Sequence, residues 1–329
     1  MQSFTALRVH PSAAGVERRL ETCQLADLPP GDVLIKVNYS SLNYKDALSA
    51  NGHQGITRHY PHTPGIDAAG SVVSDSRGLL VEGDPVVVLG FDLGMNCWGG
   101  WSEYIRVPGA WVVRLPDGLS LADAMRLGTA GVSAAYAVEK LLQAGLHGAS
   151  SRVLVTGATG GVGSIAVHLL ASLGYQVTAS TGKLDQADWL KSLGAVQVVD
   201  RELLAKASSK ALLPAQYEAA IDTVGQETLV NLAKSLTFGG SVAVCGLVGG
   251  TGLPLDIYPF ILRSINLLGI ASAEAPLQAR QRVLAKYAGL WRLPQLANLG
   301  EEISLDEVGA RVDRMLAGQT RGRTLVRVG

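Results

Sequence analysis

The chain has 329 residues, enough for one large domain or two ordinary ones, and 47% of them are hydrophobic, so a sizeable core can form. Lysine plus arginine equals aspartate plus glutamate at 28 each, and this zero formal charge argues against nucleic-acid binding by counterion release or a polybasic membrane contact. No apolar run reaches the length of about 18 residues that a spanning helix needs.

In chain order, the start Met1-Gln-Ser-Phe-Thr-Ala-Leu-Arg shows no charged segment followed by an apolar one, so it does not read as a secretory signal. Cys23, Cys97 and Cys245 are too few and too scattered for a disulfide framework or a cysteine-rich zinc site. Together these features predict a cytoplasmic protein with reduced thiols. The first 120 or so residues read as mostly β. Strands are predicted in Asp32–Ser40, Gly70–Ser74, Gly83–Gly90, Gly100–Val107 and Ala110–Pro116, each entered or left through turn residues. Strands at this spacing with little helix suggest a small, partly open barrel.

After Pro116-Asp-Gly the pattern changes. Ser120, with Asp123 three places on, has the signature of a helix cap, and a second helical stretch follows from Gly131. Strands and helices then alternate. Strands are expected at Arg152–Val155, Gln176–Ser180, Gln197–Val199, Ala219–Asp222, Ser241–Cys245 and Ile265–Ile270. This βαβ rhythm predicts a doubly wound parallel sheet covered on both faces. Glu301-Glu-Ile-Ser, a helix over Leu305–Leu316 and Arg323-Thr-Leu-Val-Arg-Val return to the first style. The expected fold class is therefore α/β, with a barrel domain from residues 1–122 and 300–329 and a nucleotide domain from residues 123–299.

Within the second domain, Val153-Leu-Val-Thr-Gly157-Ala-Thr-Gly160-Gly161-Val-Gly163-Ser-Ile-Ala-Val joins a buried strand, a glycine turn and a helix. That order is the dinucleotide fingerprint, with Ala158 in the first glycine place and Gly160 and Gly163 in the others. Thr159, Gly160, Gly161, Val162 and Gly163 are expected to approach a pyrophosphate at the helix N-terminus. The next strand ends Ser180-Thr181-Gly182-Lys183. An NAD site usually carries Asp or Glu there, which would repel a 2′-phosphate. Two hydroxyls, a glycine and a cation, with Arg201 just past the following strand, instead predict NADPH. Other strand ends should face the same cofactor, which makes Leu247, Ile261 and Ser272 candidates for its nicotinamide half. Asp222-Thr-Val-Gly225 suits either cofactor contact or a strand followed by a helix cap.

The chain as a whole resembles the medium-chain dehydrogenase/reductase superfamily. It is most similar to the zinc-free quinone oxidoreductase branch, and there to the acrylyl-CoA reductases of the YhdH/AcuI type. The marks are Ser40-Ser-Leu-Asn43-Tyr44-Lys45-Asp46-Ala, Pro64-Gly65-Ile-Asp67-Ala-Ala-Gly, Trp98-Gly-Gly-Trp-Ser-Glu, Gly128-Thr-Ala-Gly131, the glycine turn, Asp222-Thr-Val-Gly, Pro259-Phe-Ile-Leu-Arg263 and Gln319-Thr-Arg-Gly-Arg323-Thr-Leu-Val. The resemblance implies a GroES-like barrel joined to a Rossmann domain, with cofactor and substrate in the cleft between them. It also implies a homodimer pairing near Ile265–Ile270, and Thr129 beside the nicotinamide carboxamide.

Zinc-dependent relatives carry a cysteine ligand near Leu42-Asn43 and Gly-His-Glu where this chain has Gly65-Ile66-Asp67, so no metal is expected. His53, His59 and His62 read as loop histidines. Without a Lewis acid, an unactivated alcohol is hard to oxidise, whereas a C=C bond conjugated to a carbonyl needs only positioning, enolate stabilisation and a proton. Tyr44, Asn43 and Asp67 are the catalytic candidates: Tyr44 as donor to cofactor or carbonyl, Asn43 as N–H donor to the substrate oxygen, and Asp67 as orienter or proton feed. Lys45 and Asp46 suggest an ion pair, or Asp46 a helix cap. Arg58, Arg263, Arg321 and Arg323 are candidates for the phosphates of a coenzyme A tail.

The resemblance implies NADPH-dependent reduction of a small-molecule enoyl-CoA, acrylyl-CoA to propionyl-CoA. A quinone or general enone reductase is the alternative enzyme, and a non-catalytic, crystallin-like NADPH-binding protein the alternative of another class.

Overall fold

The computed structural model describes residues 3–13, 15–148 and 150–329. These divide into two compact units, Met1–Thr129 with Ala273–Gly329, and Ala130–Ser272.

The first unit contains strands β1 (Ser3–Ser12), β2 (Gly15–Gln24) and β3 (Val33–Leu42), helix α1 (Tyr44–Ala50), then β4 (Asp67–Asp75), β5 (Pro85–Leu89), β6 (Tyr104–Val107) and β7 (Val112–Arg114). Helix α2 (Leu121–Gln143) leaves it. β1 and β2 form a hairpin of their own, which the sequence reading did not anticipate. β3 is the hub of the main sheet. Its Val33, Ile35 and Val37 are buried with Val86, Val88 and Ile105 of the neighbouring strands. It pairs antiparallel with β4 and β6 along the same stretch, shifting register twice against β4, which is how a short sheet curls toward a barrel.

The second unit runs β8 (Arg152–Val155), α3 (Gly161–Ser172), β9 (Gln176–Thr181), α4 (Ala187–Ser192), β10 (Gln197–Asp200), α5 (Glu202–Ala205), β11 (Tyr217–Asp222), α6 (Gln226–Lys234), β12 (Leu236–Val244), α7 (Tyr258–Arg263) and β13 (Asn266–Gly269). All its strands are parallel, in the order β10-β9-β8-β11-β12-β13. This is the doubly wound dinucleotide-binding order. β8 and β9 are buried after their first residues, as a strand covered on both faces requires. Leu154, Ala220, Leu232, Val242 and Ile265 form the core under one layer of helices.

The chain then returns through α8 (Leu277–Ala288), β14 (Gly300–Ser304), α9 (Val308–Leu316) and β15 (Arg323–Arg327). β15 pairs with both β14 and β3, closing the barrel sheet at one end. Trp101, Ala47, Ala50, Val308 and Val312 pack where α1 meets α9.

The first boundary lies later in the chain than the composition change suggests, at Thr129/Ala130 instead of 122/123, and the second lies earlier, at Ser272/Ala273 instead of 299/300. α8 explains the second difference. Its Arg280, 1% exposed, donates to the carbonyls of Ala275, Ala273 and Leu89 and lies over the Phe91 ring at 4.0 Å. The helical segment after Ser272 is thereby fastened to β5 and the barrel.

Candidate active site

In the second unit, β8 delivers the chain into Gly157, which adopts φ +56°, and the turn folds back so that the Gly160 N–H donates to the Gly157 carbonyl at 2.8 Å. α3 starts immediately after, and no side chain caps it, so its first N–H groups face outward unspent. Gly163 has no room for a side chain: a Cβ there would lie 2.3 Å from the Gly157 carbonyl oxygen. The missing first glycine costs nothing, because Ala158 is fully buried with its N–H donating to the Ser180 carbonyl. This is a cradle of backbone donors shaped for an anionic group.

Beside it lies the end of β9. Ser180 and Thr181 are buried, and the Thr181 hydroxyl sits 3.1 Å from that of Thr159 and accepts from the Lys183 N–H at 3.0 Å. Arg201 crosses Gly182 so closely that a Cβ on residue 182 would lie 2.7 Å from its Nε. Partial burial holds the Lys183 ammonium below its ordinary pKa, with Asp185 pulling the other way. The Arg201 guanidinium thus flanks Gly182, the residue before Lys183 in the chain. Asp185, Asp200 and Glu202 are acids close by: Asp200 stands opposite Thr181 on the adjacent strand, and Glu202 is 3.7 Å from Arg201.

The remaining strand-end residues are placed differently. Leu247 and Ile261 are 65% and 64% exposed, and the Ser272 hydroxyl is 2.6 Å from that of Ser133. Asp222 is fully buried and accepts from Thr156 Oγ1 at 2.7 Å and the Gly225 N–H at 2.8 Å. It closes the turn from β11 toward α6, whose N-cap is Gly225 and carries no side-chain cap. Burial raises its carboxyl above the ordinary value.

The first unit holds a different kind of site. Asp67, at the start of β4, is wholly buried. Its Oδ2 accepts from Ser41 Oγ at 2.6 Å, Asn43 Nδ2 at 2.8 Å and the Thr129 N–H at 3.0 Å, and its Oδ1 accepts from Thr129 Oγ1 at 2.5 Å. Gly128 makes this possible. It breaks α2 at φ 54°, ψ −157°, and a Cβ there would stand 2.5 Å from Asp67 Oδ2. The break frees the Thr129 N–H, which would otherwise serve the helix.

Asn43 is spent within the same network. Its Nδ2 lies within hydrogen-bond distance of Ser41 Oγ, Asp46 Oδ2 and Asp67 Oδ2, and its Oδ1 accepts from Arg323 Nη1 at 3.0 Å. In this arrangement neither amide hydrogen faces a substrate oxygen. Asp46 does not pair with Lys45. It turns inward as the third residue of α1, accepting from the N–H of Asn43 at 2.7 Å and of Ile66 at 2.8 Å. Burial, with the Asp67 charge alongside, pushes its carboxyl up to about 7. Arg323, from β15, is 3% exposed and balances the two carboxylates. Its Nε donates to the Arg126 carbonyl at 2.8 Å, and its Nη2 has no hydrogen-bond partner among the described residues. Tyr44, directly after Asn43, is 50% exposed and is the aromatic hydroxyl this corner presents to solvent.

Two of the basic residues considered for a coenzyme A tail are therefore excluded by burial or bonding. Arg323 belongs to the carboxylate network, and Arg263 donates to the carbonyls of Lys234, Leu236 and Leu213. Ser41, Asp46 and Arg323 were not picked out as one site by sequence reasoning. Asp46 read as an ion-pair partner or helix cap and Arg323 as a surface cation, and Ser41 carried no signal beyond its motif.

A catalytic zinc does not fit these residues. Among them no group of three or more His, Cys, Asp and Glu side chains is placed to hold a metal ion. Ile66 is buried, and burial lowers the His62 pKa to about 4, leaving a neutral ring inside the loop. No helix among the described residues is long and apolar enough to cross a membrane.

A curled barrel sheet with a parallel nucleotide sheet inserted into its sequence defines a two-domain dehydrogenase architecture. Models of the alcohol dehydrogenase GroES-like domain and of the zinc-binding dehydrogenase match residues 29–117 and 161–288. The chain belongs to the medium-chain dehydrogenase/reductase superfamily of oxidoreductases. It is 44% identical over 326 residues to a protein of Bacillus subtilis named putative quinone oxidoreductase YhfP, with 99% of each chain covered. The structure of that protein with NAD bound superposes at a TM-score of 0.96, covering 99% of this chain and 100% of the other. It is 41% identical over 304 residues to acrylyl-CoA reductase AcuI of Ruegeria pomeroyi, with 92% of each covered. The yhdH oxidoreductase of Salmonella enterica, solved in complex with NADP, is 40% identical with a TM-score of 0.95, covering 99% and 100% of the two chains.

Proposed function

We propose that the protein reduces the carbon–carbon double bond of a short enoyl-CoA, acrylyl-CoA above all, with NADPH. The observation that carries the cofactor is the rim: Arg201 lies against Gly182, the residue before Lys183 in the chain, and the end of β9 offers hydroxyls where an NAD site places an acid. The uncapped start of α3 and the cradle around Gly163 fit the pyrophosphate, and Ser180 and Thr181 add donors for the 2′-phosphate. Thr129, Leu247, Ile261 and Ser272 are assigned to the nicotinamide half on the same reading. When bound, NADPH supplies a hydride to the β-carbon of the alkene.

The residues of the barrel unit do the rest. Tyr44, exposed on the first turn of α1, donates to the carbonyl oxygen as negative charge grows there. Asn43 and Asp67 act through it: their closed network fixes the entry to α1 and so the position of the Tyr44 backbone. The α-carbon takes its proton from solvent or from the Tyr44 hydroxyl. Reduction of an activated alkene needs no metal in this scheme, in keeping with a site whose residues do not fit zinc.

The relatives named for acrylyl-CoA and for quinones frame the test. Initial rates with acrylyl-CoA, a free enone and a quinone, at one NADPH concentration, should be highest for acrylyl-CoA. Efficient turnover of the quinone with none of acrylyl-CoA would replace the substrate assignment.

A further inference from the structure

A cavity of about 520 Å³ opens in the barrel unit, lined by Pro11, Val16, Asn51, Gln54, Arg58 and Tyr60 among others. The volume is within the range of small-molecule sites. Its walls are built. A Cβ on Gly52 would lie 3.0 Å from Val16, so the end of α1 and the start of β2 are in contact there. The Tyr60 hydroxyl is tied to the Ser49 carbonyl at 2.8 Å, which holds its ring in place.

The lining carries no carboxylate among the described residues. Arg58 is exposed, and among the described residues no carboxylate forms an ion pair with it, unlike Arg77, Arg114 or Arg152, each bonded to a carboxylate. His59 and the amides of Asn51 and Gln54 add polar groups suited to a phosphate or a heteroaromatic ring. Position also counts. Tyr44 and Asn51 are seven residues apart on α1 and its C-cap, which sets them on one face about 10 Å apart. Both are exposed. A pantetheine arm is long enough to cover that distance.

We infer that this cavity binds the phosphorylated nucleotide end of the acyl-CoA substrate, with Arg58 as its phosphate contact. The inference rests on the enoyl-CoA reading of the active site and adds to it a specificity residue outside that site. It assigns the thioester end and the nucleotide end to opposite ends of α1.

The test compares acrylyl-CoA with acrylyl-pantetheine, the same thioester without the nucleotide, and measures coenzyme A binding by titration calorimetry. Arg58→Glu should raise KM for acrylyl-CoA by about tenfold or more, as loss of a charged hydrogen bond does, with kcat held and acrylyl-pantetheine kinetics unchanged. Arg58→Gln should give a smaller shift in the same direction. Coenzyme A should bind the parent and bind Arg58→Glu more weakly, with the difference shrinking at high salt. Equal coenzyme A affinity in parent and variant, or equal effects on both thioesters, would overturn the cavity assignment while leaving the enoyl-CoA reading intact. Failure of the parent to reduce either thioester would overturn that reading instead.

Discussion

The two polar centres of this protein are opposites in construction. At the glycine turn and the end of β9, backbone N–H groups and cations face outward, and the residues responsible lie within about fifty positions of one another. Around Asp67, six side chains or N–H groups from β3, α1, β4, α2 and β15 face inward and bond to one another, with Arg323 Nη2 left over. The first is an arrangement awaiting an anion. The second is a closed network in which removal of one charge strands the others. An open site should respond to substitution through ligand affinity, a closed one through stability.

Arg323→Met should produce the largest effect. It leaves Asp46 and Asp67 buried without their cation, and loss of one partner from a buried charge cluster costs about 3–5 kcal/mol in unfolding free energy. Denaturant titration reads this directly; stability equal to the parent would mean that the network is not closed.

Lys183→Glu tests the open side. It should raise the apparent constant for NADPH relative to NADH by about tenfold or more, or about 1.4 kcal/mol, while unfolding shifts little. Equal change for both cofactors would separate Lys183 from the 2′-phosphate.

A third test is read in pH. The Asp46 carboxyl sits near 7 in the folded chain against an ordinary 3.8, so the folded state holds a proton that the unfolded state releases in between. The stability this contributes is complete at the acid end of that window and is lost as pH rises through about 7. Asp46→Asn should flatten the fall in Tm across the window. An unchanged slope would place the titration elsewhere.

What could be read in advance follows the same contrast. The glycine turn, the acid-free end of β9 and the βαβ rhythm are local: each is set by neighbours in the chain, so residue type and spacing were enough to locate Gly160, Gly163, Ser180 and Lys183. Arg201 lies further off but at the end of the adjacent strand, where parallel order puts it. Asp67 and Asn43 were visible as candidates, yet their state was not. Nothing near residue 67 shows that a glycine break sixty positions on will turn the Thr129 N–H toward its carboxylate, or that an arginine from the last strand will meet Asn43. Arg323 and Arg263 looked like surface cations for the same reason, since burial is not a property of a single residue. The N-terminal hairpin went unread because β2 is largely charged and exposed, with weak apolar alternation.

By itself the sequence determined the class of architecture, the glycine turn into α3 and the acid-free end of β9, because backbone freedom and strand periodicity act over a few residues. Only the tertiary structure decided which polar residues are spent and which remain available. Contacts between distant segments settle that, by filling the hydrogen-bonding capacity of Asn43 and Asp67 while leaving the Tyr44 side chain half exposed to solvent.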